Sequence, residues 1–248
     1  MPLPGKRQWM QMSLMALLMF VFANAFSTWG LRYIPTGLGS LIGALYPLCV
    51  MIIEWVFYKK RTLSPLTFLG MLLGLAGVVF VFYNNMFATF DARLIFGLAV
   101  SLFAILAWSF GSVILARHPI DINPYYGMGW QMIIGSGMLW IICLSTKNYI
   151  PLSAISIHAW LEVCYLFIVG SIVTFIAFIF TLSTLPPEVS SLYAYVNPIV
   201  AIITASILLG EQLTSSILIG TVITLVGVYL VNHSTKHDKE KIIAEAEI

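Results

Sequence analysis

The sequence predicts an all-α integral membrane protein of about eight transmembrane helices, built from two inverted repeats of three plus five helices. Composition is the first reason, because 60% of the 248 residues are hydrophobic and only 9% are charged. A soluble globule could not cover that much apolar surface. The second reason is that apolar runs recur at a length suited to a hydrocarbon core about 30 Å thick. The third is that the chain contains its own duplicate.

Eight apolar runs follow one another along the chain, separated by short connections that carry helix breakers such as Asn123-Pro124. Each run is long enough to cross a bilayer as a helix. The predicted helices occupy residues 9–29, 38–58, 65–83, 94–116, 125–144, 160–183, 189–209 and 215–231.

The duplication relates residues 34–82 to residues 185–231. Each copy reads as an apolar helix, a proline-marked turn, a helix with a central proline, a polar turn and a helix with glycines. The matched pairs are Trp9 with Trp160, Pro47 with Pro198 and, after one deletion in the connecting loop, Gly70 with Gly220 and Gly77 with Gly227. Each copy therefore contains three helices. Because this number is odd, the second copy can enter the bilayer from the opposite face.

The positive charges predict how these helices are oriented. Nine of the twelve Lys and Arg residues fall on one side of the predicted membrane and three on the other, so the first side is expected to be cytoplasmic and to hold both termini. The loop at residues 59–61 (KKR) is then cytoplasmic, whereas its counterpart at 210–212 (GEQ) is external. We therefore expect a first repeat at 1–84, an inverted second repeat at 92–232 and a charged cytoplasmic tail at 233–248.

The N-terminus also allows another interpretation. Lys6-Arg7, the apolar run and Ala23-Asn24-Ala25 together imitate a signal peptide with its cleavage site. Cleavage would leave an odd number of spans and would remove the helix that pairs with residues 160–182 in the duplication. A retained helix therefore explains more of the sequence.

Several motifs resemble the drug/metabolite transporter superfamily, in particular its EamA-type permeases. Residues 191–198 (SLYAYVNP), 208–211 (LLGE) and 220–228 are similar to the C-terminal signature of that family, and residues 29–77 resemble its first-half equivalent. Residues 108–112 (WSFGS) resemble the helix that opens its second half. The family usually has ten helices as five plus five, so this resemblance implies that the first two are missing here.

Two prolines are the candidates for hinges. Pro47 and Pro198 lie near the centres of their predicted helices, where proline lacks an amide donor and leaves the carbonyls of Gly43 and Ala194 without their helical partners. Paired weak points at mid-membrane suit a hinge or a substrate site at a repeat interface. A tolerated kink without such a role is the alternative.

Amides and aromatic side chains deep in the predicted helices are the candidates for contact with a solute. An unpaired amide in hydrocarbon would cost several kcal/mol, so these amides must face protein or water. Hydrogen bonds between packed helices are the alternative to contact with a solute. Aromatic rings could stack on planar solutes or attract cations, although packing and interfacial anchoring are the common alternatives. The candidate substrate-binding residues are Asn24, Tyr46, Trp108, Gln131, Tyr193 and Asn197.

The sequence lacks the signatures of several other functions. No charged residue falls at the centre of a predicted helix, so there is no obvious proton relay, and Glu54, the deepest acid, is expected to turn towards Lys59. There is no HExxH motif and no Ser/His/Asp constellation, so we expect no enzyme and no catalytic residue. The three cysteines lack metal-ligand spacing, and the net charge of +2 is too small to indicate nucleic acid binding. No metal or cofactor is expected.

The duplication and the resemblance together favour a secondary transporter of the cell membrane, with the lipid bilayer and a small-molecule solute as its partners. It would export or exchange a small organic metabolite or drug-like solute by alternating access of the two repeats. The alternative is a shortened, non-transporting paralogue that acts only by association with another membrane protein. A homodimer is one arrangement that would restore a complete path. A channel has less support, because no charged ring or carbonyl filter is evident.

Overall fold

Eight helices account for most of the fold in the computed structural model, which describes residues 3–58, 64–86, 92–147, 149–184 and 193–246. Every regular element in these ranges is helical, and a short 3₁₀ turn at Leu152–Ala154 precedes the sixth helix. The helices are α1 Lys6–Gly30, α2 Thr36–Tyr58, α3 Pro65–Met86, α4 Ala92–Arg117, α5 Pro124–Thr146, α6 157–184, α7 Tyr193–Leu209 and α8 Ser215–Ala246.

Each helix overlaps one of the eight intervals predicted from the sequence. Within the described residues, six helices are long and apolar enough to cross a membrane. The described apolar segments of α3 and α7, Pro65–Val81 and Val196–Leu209, are shorter. Large apolar side chains such as Phe68, Ile207 and Leu208 are exposed, as expected for a surface that faces lipid. The chain is therefore an all-α, multi-pass membrane protein, and the helical backbone continues through residues 233–246 of the predicted tail.

Local sequence explains where several helices begin. The Asn123 side chain accepts hydrogen bonds from the amides of Tyr125 and Tyr126 at 3.0 and 3.2 Å, and Pro124 occupies the first position of α5. Asparagine and proline are favoured at these two positions because the first amides of a helix lack helical acceptors. Ser156 caps α6 in the same way, accepting a hydrogen bond from the amide of Ala159.

The chain divides into two compact units. Unit 1 contains Met1–Val21 and Ile120–Leu192, and unit 2 contains Phe22–Pro119 and Tyr193–Ile248. In unit 1 the start of α1 packs on α5, where the Trp9 and Trp130 rings meet edge to face with centroids 4.8 Å apart. A Cβ atom on Gly135 would lie 2.8 Å from the Phe20 Cβ, so this close approach of the two helices requires glycine.

Unit 2 has a continuous apolar core formed by α2, α3, α4, α7 and α8. Leu38, Leu41 and Ile42 of α2 and Val81 of α3 are almost completely buried there. The antiparallel pair α3 and α8 makes the closest helix contact. A Cβ on Gly70 would lie 2.7 Å from the Gly227 carbonyl oxygen, so only glycine allows the two backbones to approach this closely.

The contacts between α3 and α8 are reciprocal with respect to the duplicated sequence. Gly70 packs against Gly227. Gly77 packs against Gly220, and a Cβ atom on Gly77 would lie 2.6 Å from the Gly220 carbonyl oxygen. Because the duplication pairs Gly70 with Gly220 and Gly77 with Gly227, exchanging the copies converts one contact into the other. Exchanging the copies also converts the contact of Gly74 with Gly227 into that of Thr224 with Gly77. In the same way it converts the contact of Val81 with Gly220 into that of Val231 with Gly70. This is the contact pattern expected where two copies of a unit meet across a two-fold axis.

Candidate functional site

A cavity of about 420 Å³ lies within unit 2, with walls from α1, α2, α4 and α7. Its volume is at the lower end of the range of roughly 300–1,000 Å³ typical of small-molecule sites. No lining residue among those the structure describes carries a formal charge. The lining residues whose side chains can hydrogen bond are Asn24, Ser27, Thr36, Ser40, Tyr46, Ser101, Trp108 and Asn197.

The cavity lies against an interruption in α2. The helix divides into Thr36–Ala44 and Tyr46–Tyr58, and the amide of Leu45 donates to the Ile42 carbonyl at 3.0 Å in a tighter turn. Pro47 has no amide hydrogen, so the Gly43 carbonyl lacks its usual donor four residues later. Gly43, Ala44 and Tyr46 all line the cavity, so the break lies in its wall.

Four of the six predicted contact residues lie together on this cavity. Asn24 comes from α1, Tyr46 from α2, Trp108 from α4 and Asn197 from α7. Neither Asn24 nor Asn197 has a side-chain hydrogen-bond partner within the described part of the chain. Two amides with unused hydrogen-bonding capacity therefore face the same cavity, and their role in binding stays a prediction.

The other two predicted contact residues do not contribute to the described cavity wall. Gln131 lies on α5 in unit 1, where it is only 4% exposed, and its side-chain oxygen has no hydrogen-bond partner among the described residues. Tyr193 begins α7, but its side chain lies outside the described part of the structure. Among the described side chains, the candidates that line the cavity are Asn24, Tyr46, Trp108 and Asn197.

The two predicted hinges have different local structures. Pro47 is the second residue after the break in α2, at the start of a helical segment, where proline is tolerated. Pro198 lies inside the continuous helix α7, and its side chain is fully buried. A hinge role for either residue remains a prediction, and only the α2 proline coincides with a discontinuity.

Ser101 is a cavity residue that the sequence analysis missed. It is 6% exposed, and its hydroxyl has no hydrogen-bond partner among the described residues. Two other serines of α4 behave differently: Ser109 donates to the Ile105 carbonyl at 2.7 Å, and Ser112 donates to the Trp108 carbonyl at 2.9 Å. Serines in helices commonly bond back in this way, whereas the Ser101 hydroxyl is left without a partner in the described part of the chain and packs against Gly30 of α1.

Glu211 holds the first turn of α2 next to the cavity. Its two carboxylate oxygens accept hydrogen bonds from the amides of Thr36 at 2.8 Å and Gly37 at 3.3 Å. Pro35 occupies the preceding position and provides no side-chain cap. A carboxylate at a helix N-terminus satisfies free amides and complements the helix dipole. The contact fixes the end of α2 that contributes Thr36 to the cavity wall.

Glu54, near the other end of α2, pairs with Arg117 of α4. The nearest nitrogen–oxygen distance is 3.3 Å, and the two side chains are 37% and 23% exposed respectively. The Arg117 guanidinium also lies 3.9 Å above the centre of the Tyr58 ring, which gives a cation–π contact. The structure thus gives Glu54 a different partner from the expected Lys59, which lies outside the described residues.

The described residues contain no candidate metal centre. No group of three or more His, Cys, Asp or Glu side chains in the described ranges could hold a metal ion. Cys49 and Cys164 are free cysteines.

Comparison with known proteins identifies the family. A sequence profile of the EamA-like transporter family matches residues 1–83 and 95–233. The chain belongs to this family. That assignment confirms the resemblance noted in the sequence and identifies the protein as a membrane transporter in general terms.

Individual relatives support the assignment. The chain is 27% identical over 237 residues to the uncharacterized transporter YvbV of Bacillus subtilis (strain 168), covering 94% of this chain and 75% of that protein. It is 26% identical over 213 residues to the uncharacterized inner membrane transporter YedA of Escherichia coli (strain K12), covering 86% and 67% respectively. A solved crystal structure matches with a TM-score of 0.59 at 17% identity, covering 92% of this chain and 76% of the other. At that identity the structural match supports the fold alone.

Proposed function

We propose that this EamA-family protein is a secondary carrier that exports or exchanges a small organic solute through the cavity of unit 2. The observation that carries the proposal is a neutral, partly aromatic cavity built against the broken helix α2. Membrane carriers commonly bind solutes beside discontinuous helices, because the interrupted backbone leaves polar groups free at the site. The Gly43 carbonyl, which lacks an amide donor at Pro47, and the amides of Asn24 and Asn197 would supply such groups.

Alternating access of two inverted repeats is the proposed mechanism. The reciprocal contacts of α3 and α8 support it, because a two-fold relation between repeats makes the two sides of the membrane structurally similar. In this mechanism the segments of α2 on either side of Leu45 change their relative angle while Pro47 prevents a continuous helix from forming. The cavity then opens to one side of the membrane at a time.

The proposed orientation places both termini in the cytoplasm. The unequal distribution of Lys and Arg supports this arrangement. Single cysteines introduced at Lys6 and Lys239 in a variant lacking the three natural cysteines would test it. A membrane-impermeant maleimide should label both positions in inside-out vesicles and neither in intact cells.

Transport itself is tested by efflux from cells that express the chain, with labelled amino acids, nucleosides and cationic dyes as separate probes. The proposal predicts faster loss of at least one probe than from cells expressing the Trp108→Ala variant at equal membrane abundance. Equal efflux of every probe from both cell populations would favour the non-transporting paralogue. The comparison requires equal amounts of folded protein, measured by fluorescence-detected size-exclusion chromatography.

A further inference from the structure

We infer that the cavity selects an uncharged, ring-bearing solute. This inference rests on the proposed function, because it names the solute class of the same site. The inference depends on the charge, the aromatic surface and the unused hydrogen-bonding groups of the cavity wall.

The wall argues against a charged solute. None of the described lining residues is Asp, Glu, Lys or Arg. The Glu211 carboxylate, which caps α2 beside the cavity, already accepts hydrogen bonds from the amides of Thr36 and Gly37. A charge brought from water into such a site would lose hydration without gaining an ionic partner. An uncharged solute avoids that cost.

The polar groups of the wall suit a solute with several hydrogen-bonding atoms. Asn24 and Asn197 offer amides that can both donate and accept, and neither has a side-chain partner among the described residues. A solute in the cavity would satisfy these amides.

The aromatic residues of the wall suit a planar group. Tyr46 and Trp108 line the cavity from two different helices, α2 and α4. Aromatic rings pack on other rings in offset or edge-to-face arrangements and gain energy beyond the area they bury. The wall also has open space at Gly43, where an added Cβ would meet no atom within 4 Å. A ring with hydrogen-bonding substituents fits this combination of surfaces.

Two matched series of probes test the selectivity with purified full-length protein in lipid nanodiscs. The first contains adenosine, adenosine monophosphate and the 5′-ammonium analogue of adenosine, and the second contains phenylacetamide, phenylacetate and phenethylammonium. Isothermal titration calorimetry measures the affinity for each compound. The neutral compound should bind in at least one series, and its charged counterparts there should bind at least about tenfold more weakly. Tighter binding of a charged counterpart, or no binding in either series, would overturn the inference.

The two proposals fail in different ways. If the neutral probe binds selectively but vesicles containing the protein do not transport it, the solute class stands and the carrier proposal fails. If vesicles transport a charged probe and not its neutral counterpart, the carrier proposal stands and the inferred solute class fails.

Discussion

The glycine contact between α3 and α8 makes the clearest quantitative prediction. In Gly70→Ala, the new Cβ would lie 2.7 Å from the Gly227 carbonyl oxygen, whereas ordinary carbon–oxygen contacts are about 3.3–3.6 Å. The two backbones would therefore have to separate by about 0.6 Å or more. Overpacking of this kind typically costs about 1–3 kcal/mol, and the higher helix propensity of alanine offsets about 0.5–1 kcal/mol of it.

Two matched variants make this prediction specific. Gly129→Ala on α5 is the control, because an added Cβ there meets no atom within 4 Å, so it should be neutral or slightly stabilising. Gly220→Ala is the repeat counterpart of Gly70→Ala, and its Cβ would lie 2.8 Å from the Gly77 carbonyl oxygen. The two interface variants should therefore lose similar amounts of stability, within about 1 kcal/mol.

Equilibrium unfolding in mixed micelles of dodecyl maltoside and dodecyl sulfate, followed by circular dichroism, measures these free energies. The account predicts that Gly70→Ala and Gly220→Ala both unfold at lower dodecyl sulfate than the wild-type protein, and Gly129→Ala does not. If Gly70→Ala were as stable as Gly129→Ala, the close backbone contact would be wrong. If only one interface variant lost stability, the reciprocal relation between α3 and α8 would be wrong.

Three further predictions concern the cavity and the two ends of α2. Gly43→Leu should fill open space in the cavity and weaken solute binding at least about tenfold in calorimetry, because filling the site excludes the solute. The control Gly129→Leu should not weaken binding. Unchanged binding in both variants would exclude this cavity as the site. Glu211→Ala should destabilise the protein by about 1 kcal/mol in mixed micelles by removing the cap from α2, and no loss would show that the cap is dispensable. The double-mutant cycle of Glu54→Gln with Arg117→Ala should give a coupling free energy of unfolding of only about 0.2–1 kcal/mol, because both side chains are partly exposed. A coupling free energy above about 3 kcal/mol would contradict this and indicate a fully desolvated pair.

The helices were predictable because membrane crossing imposes a local rule. A span needs about 20 consecutive apolar residues, so its approximate position can be read without knowing its neighbours. In the structure, Gly70 of α3 packs closely against Gly227 of α8. The sequence did not predict this pairing, because the duplication aligns each of these glycines with a different residue and packing partners depend on tertiary structure.

The candidate site was only partly predictable. Asn24, Tyr46, Trp108 and Asn197 were chosen because amides and aromatic rings are unusual deep in a span, and they lie on one cavity. Ser101 was missed because serine is common in membrane helices. The amino-acid sequence does not reveal whether the Ser101 hydroxyl bonds to the preceding turn. Only the contrast with its neighbours on α4 shows an unused group.

The ionic contacts of α2 could not be assigned from the sequence for a different reason. Glu211 is far from Thr36 along the chain, and Glu54 is far from Arg117, so each contact exists only after the helices have packed. The expectation that Glu54 turns towards Lys59 used proximity along the helix. The observed contact with Arg117 depends on the packing of α2 against α4 instead.

Counterflow in proteoliposomes tests the central proposal most directly. Vesicles containing the purified protein are preloaded with the neutral probe that binds best, and entry of the labelled compound is compared with that in unloaded vesicles and in vesicles containing Asn197→Ala. A carrier that alternates around the cavity predicts saturable entry, faster entry into preloaded vesicles and a large reduction in the Asn197→Ala vesicles. Entry that is not saturable and is the same in all three preparations would contradict the account.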